Sequence, residues 1–150
     1  MSYPAPLQAI IELCESLPEP ERREMLITFA ENSGNCGPSE GEEFDLEDVR
    51  KDEECTDTVG IHLVVDDEDR VTFKVSLGPK VQTLTRAMTS ILVKGLNDAK
   101  LEEIMATPDD FVPRIIGAEL VRLRSQTVYY VLSRMKGAVK VYLDRRARAA

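Results

Sequence analysis

The chain has one histidine, His62, and three cysteines, Cys14, Cys36 and Cys55, with no Cys-x-x-Cys pair among them. A structural zinc site ordinarily takes four Cys or His ligands in tight pairs, so three scattered thiols and one imidazole argue against a metal. An odd cysteine count argues against a disulfide framework and leaves at least one free thiol. No apolar run is long enough to span a bilayer, and the N-terminal stretch MSYPAPLQAIIELCESL lacks the basic start of a signal peptide. These absences predict a cytoplasmic protein with no membrane contact. Positive charge is also in deficit. Lys and Arg number 19 against 27 Asp and Glu, a formal charge of −8, which argues against nucleic acid as a partner.

What is present is ordinary globular material. The 150 residues are 43% hydrophobic and 31% charged, enough for one domain with a proper core. Leu7, Ile10, Ile11, Cys14 and Leu17 recur at helical spacing. Pro18 and Pro20 end that helix and open a second, with Met25, Leu26, Phe29 and Ala30 on one face. Cys14 reads as a small hydrophobe on a core stripe. From Glu31 to Glu54 the composition turns to Gly, Ser, Asn and acid, which predicts a partly mobile surface loop holding Cys36.

Two alternating segments follow, Val59–Val65 and Val71–Leu77, with Asp66–Asp69 as the turn of a β-hairpin. His62 lies on the less apolar face of the first, where a surface or partly buried structural role is expected. Gly78 and Pro79 end the second strand. A helix from Val81 carries Leu84, Met88, Ile91 and Leu92 inward and is closed by Gly95 and Asn97. A short helix is expected around Leu101–Met105, and Thr107-Pro108 reads as the start of another. Gly117 breaks the chain. A last helix is predicted from about Val121 into the 140s, with Val128, Val131, Leu132, Met135 and Val139 inward. Its cations, Arg134 among them, read as a solvated face. Segregated elements predict an α+β fold: a small antiparallel sheet with a β-hairpin, packed against two N-terminal helices and several C-terminal helices.

One thiol stands apart. Cys55 follows Asp52, Glu53 and Glu54 directly. Carboxylates favour the neutral thiol and raise its pKa above about 8.5. That shields a resting thiol from oxidation, because the thiolate is the reactive form.

Cys55-Thr56-Asp57-Thr58-Val59, the hairpin to Leu77, the helix Val81–Leu96, Leu101-Glu102-Glu103-Ile104 and Arg124-Ser125-Gln126 occur in this order. In that order and at these spacings the chain resembles the SufE family, the sulfur-acceptor proteins of iron–sulfur cluster assembly. It departs from the family pattern at Glu54, where glycine is usual, at Gly60, where a bulky residue is usual, and at Pro79–Gln82 and Arg86–Met88 in the helix region. The resemblance implies a single SufE-like domain over residues 1–150; monomer and homodimer both stay open at this point. It implies that Cys55 takes persulfide sulfur from a pyridoxal-phosphate-dependent cysteine desulfurase, stimulates that enzyme, and passes sulfur to an iron–sulfur scaffold complex. No cofactor or metal of its own is implied. Glu54, Thr56 and Arg124 are the expected partner-binding residues, and Arg124 is also read as a surface salt-bridge residue at a helix start. Two other readings compete. One is a non-catalytic interaction module of the same fold. The other is a thiol redox protein using Cys36 and Cys55, which would share one mobile loop.

Overall fold

The computed structural model describes residues 3–52 and 57–149. The N-terminal helices are α1 (Ala5–Ser16) and α2 (Glu19–Glu31), each with proline in its first turn, where the missing N–H costs nothing. Leu7, Ile11 and Cys14 are buried on α1, and Leu26, Phe29 and Ala30 on α2. Arg22 ties the two helices, donating from Nε to Cys14 O at 3.0 Å and from a terminal nitrogen to Leu17 O at 3.2 Å. A guanidinium thus satisfies carbonyls left open at the end of α1.

A short 3-10 helix, Asn32–Cys36, follows. It corrects the expectation that Cys36 sits in an exposed loop. Cys36 is only 6% exposed, with Sγ 3.9 Å from Ser90 Oγ in the core. Tight i to i+3 turns let the Gly- and Asn-rich segment fold its thiol inward.

The sheet has three antiparallel strands in the order β1 (Leu46–Asp52), β2 (Asp57–Val65) and β3 (Val71–Leu77). β2 and β3 are the predicted hairpin, with Leu63 opposite Phe73 and Ile61 opposite Val75. The turn is built by Asp66, whose Oδ1 accepts the N–H groups of Glu68 and Arg70, each at 2.9 Å. β1 was not predicted; the stretch reads as loop because it holds only two apolar residues. It is an edge strand, paired from Leu46 opposite Leu63 to Asp52 opposite Asp57. Charged side chains suit an edge that must not pair further.

The inner face of the sheet buries Val59, Ile61, Leu63, Val71, Phe73 and Val75. Helices α3 (Thr83–Leu96) and α7 (Ser125–Ala149) pack on this side of the molecule. Around α3, α1 approaches so closely that a Cβ on Gly95 would lie 3.0 Å from Leu7 Cβ. The short helices α4 (Leu101–Ala106), α5 (Val112–Ile116) and α6 (Ala118–Leu123) connect α3 to α7.

Three boundaries differ from expectation. α3 starts at Thr83, after an extended Gln82. Thr107 ends α4 and does not open a helix at Pro108; its hydroxyl bonds back to Glu103 O at 2.7 Å. The last helix is divided at Arg124, whose φ of −133° and ψ of 34° break the ladder between α6 and α7. No helix among the described residues is long and apolar enough to cross a membrane.

Candidate functional site around the ends of β1 and β2

Cys55, Glu54 and Thr56 lie outside the described residues, so the site is approached from the strands on either side. β1 and β2 end as a pair, Asp52 opposite Asp57, and residues 53–56 join them in sequence. Both strands are held firmly a few residues away.

On the β1 side the holder is Arg134 of α7, which is 4% exposed. Its guanidinium donates to Asp48 O at 2.7 Å, to Val59 O at 3.0 Å and to Asp48 Oδ2 at 3.2 Å, and also contacts Tyr130 Oη at 2.6 Å. One planar fork therefore joins β1, β2 and α7. Arg134 was read as part of a solvated helix face and is corrected here. A signal was available: it directly precedes Met135 and lies three residues after Val131, at the border of the inward stripe.

On the β2 side the holder is Asp57. Its Oδ1 accepts Thr58 N–H and its Oδ2 accepts Lys80 N–H, both at 2.7 Å. These two backbone donors, Lys80 first, hold the carboxyl below the ordinary aspartate range, because they favour its ionised form. Gly78 makes room for this contact, since a Cβ there would collide with the Asp57 carboxylate. Arg86 secures the same turn, donating to Val81 O at 3.0 Å and to Gly78 O at 2.7 Å. Sequence reading missed Asp57 as an anchor, because one of its two backbone donors, Lys80 N–H, comes from a turn 23 residues away.

The turn leads into α3, and the first residues of α3 line a groove. Thr83, Leu84 and Ala87 form one wall, Arg23, Leu26 and Ile27 of α2 another, and Leu120 and Arg124 close it, enclosing about 240 Å³. Ile27 in this groove is 50% exposed. Arg124 stands at the start of α7, its carbonyl accepting Val128 N–H at 3.0 Å, and lies beside an apolar surface. Arg23 at the same groove pairs with Glu19 at 2.9 Å.

The other two thiols are enclosed. Cys14 is fully buried, and burial pushes its pKa up, so its thiolate is disfavoured. Cys36 is buried against Ser90. His62 is buried as well, at 5% exposure, between Glu47 and Ser76.

The profile for SufE, the Fe-S metabolism associated domain, matches residues 8–139. SufE-like proteins from two strains of Mycobacterium tuberculosis are 30% identical over 136 residues, spanning 90% of this chain and 92% of theirs. A solution structure of a hypothetical protein from Thermus thermophilus aligns with a TM-score of 0.71 at 22% identity, over 95% of this chain and 99% of the other. The crystal structure of the N-terminal part of a nitrogen-fixing NifU-like protein from Brucella abortus aligns with a TM-score of 0.61 at 17% identity, over 80% and 92%. At those identities the two structures bear on the fold alone. The profile match and the mycobacterial relatives place the chain in iron–sulfur metabolism: it belongs to the SufE family.

Proposed function

We propose that Cys55 is a sulfur acceptor. It takes the terminal sulfur from the persulfide of a pyridoxal-phosphate-dependent cysteine desulfurase and passes it to an iron–sulfur scaffold. The observation that carries this reading is the elimination of the other thiols. Cys14 and Cys36 are both packed into the core, which leaves the cysteine between the ends of β1 and β2. Family membership supplies the chemistry.

The step is a displacement at sulfur. The Cys55 thiolate attacks the outer sulfur of the desulfurase persulfide. A new S–S bond forms at Cys55, the enzyme's own S–S bond breaks, and the electron pair leaves with the enzyme's cysteine thiolate. A proton passes from the Cys55 thiol to the released cysteine, so nothing is oxidised or reduced overall. No further catalytic group is required.

Glu53 and Glu54 precede Cys55 in sequence, and carboxylates beside a thiol favour its protonated form. Arg124 and the apolar groove beside it form part of the docking surface, with Glu54 and Thr56 flanking the acceptor. The groove supports this reading because its α3 wall continues the turn that Asp57 holds.

Rates of alanine release by a purified desulfurase, with and without this protein, test the reading. Wild-type protein stimulates turnover, Cys55→Ser binds without stimulating, and Arg124→Glu weakens binding. Stimulation undiminished in Cys55→Ser would instead identify an interaction module that does not use its thiol.

A further inference from the structure

The outer face of the sheet carries a second arrangement that sulfur transfer does not use. Glu47 of β1, His62 of β2 and Ser76 of β3 form one hydrogen-bonded line across the three strands. His62 Nδ1 lies 2.7 Å from Glu47 Oε2, and Nε2 lies 2.9 Å from Ser76 Oγ. An ionised carboxylate only accepts, so Nδ1 carries the proton and donates to Glu47. In the Nδ1–H tautomer Nε2 accepts, and the Ser76 hydroxyl donates to it. Nucleophile, base and orienting acid stand in the order that activates a serine.

The surroundings fit that use. The imidazole is buried, with the Phe44 ring 5.0 Å away, while Ser76 is half-buried. Gly60 sits between them. A Cβ there would collide with Ser76 Oγ and stand 3.0 Å from His62 Nε2, so glycine keeps the Ser–His bond unobstructed. Lys74, opposite His62 in the ladder, shares the face two residues before Ser76.

We propose that Glu47, His62 and Ser76 form an acyl-transfer site for small activated esters. Ser76 Oγ bonds to the carbonyl carbon, whose C=O π electrons move onto the carbonyl oxygen, as the hydroxyl proton passes to His62 Nε2. The ester C–O bond then breaks, and His62 returns the proton to the leaving alcohol. Water removes the acyl group from Ser76 by the same steps, so the sum is hydrolysis without change of oxidation state.

The same bonds also tie three strands together, so the test must read reactivity apart from stability. The full chain is treated with a serine-selective fluorophosphonate probe, the adduct is located by peptide mass, and hydrolysis of 4-nitrophenyl acetate is followed in parallel. An adduct on Ser76, absent in Ser76→Ala, is expected. Labelling and hydrolysis in Glu47→Gln and His62→Gln should fall by roughly 100-fold. Glu47 is exposed, so Glu47→Gln should keep the wild-type melting curve. No adduct on Ser76, an adduct on another residue in its place, or wild-type labelling in folded Glu47→Gln would overturn the proposal.

Discussion

Arg134 shows how one residue sets the geometry on which the rest depends. It is a buried cation whose partners include two backbone carbonyls, a half-exposed carboxylate and the Tyr130 hydroxyl. Removing it takes a charged donor from both carbonyls and from Asp48, and hydrogen bonds to charged groups contribute about 1.5–3 kcal/mol each. Arg134→Met should therefore lower stability by about 3 kcal/mol in urea unfolding. A change below about 1 kcal/mol would show that β1 does not depend on this fork. Asp57 and Glu15 give a pH dependence of definite sign. Both carboxyls are held below their ordinary range, Asp57 by backbone N–H donors and Glu15 by Arg114 at 2.8 and 2.9 Å. A lowered folded pKa gives stability that is complete above the unfolded pKa, near 4, and is lost as pH falls through the folded value. The acid limb of the melting temperature, from about pH 5 downward, should flatten in Asp57→Asn with Glu15→Gln. An unchanged limb would remove both groups from the acid response.

Among the elements, those with strong periodicity were legible and those held by single polar contacts were not. The stripes of α1, α3 and α7 and the alternation of β2 and β3 predicted the core, including Leu7, Ile61, Phe73, Met88 and Val131, all buried. β1 escaped because Glu47, Arg50 and Lys51 read as loop, and its inward Asp48 is stabilised by an arginine 86 residues away. The 3-10 helix escaped because its composition matches a mobile loop, while its Cys36 packs against Ser90 of α3, 54 residues away. In the site, the resemblance singled out Cys55, but the anchors Asp57, Gly78 and Arg134 required the fold. The contact of α1 with α3 can be tested directly. Leu7→Ala should cost about 2–5 kcal/mol, because Leu7 is fully buried against Gly95 and its neighbours cannot close the gap freely. A loss under about 1 kcal/mol would mean that α1 is peripheral to the folded core.

At the scale of the whole molecule, two firmly tied strands end side by side at Asp52 and Asp57. The inner sheet face and α3 form the base, Arg134 holds β1 to β2, and the Asp57 turn joins β2 to the start of α3. The apolar groove with Arg23 and Arg124 continues from that turn. Sulfur transfer needs little more than this, since the partner supplies the electrophile and the receiving thiol must only be reached. The most direct measurement is the mass of the protein after incubation with a cysteine desulfurase and cysteine. The account predicts a gain of one or more sulfur atoms, removed by reductant, located on the peptide containing Cys55 and absent in Cys55→Ser. A gain located on Cys14 or Cys36, or no gain while the desulfurase turns over at a stimulated rate, would contradict it.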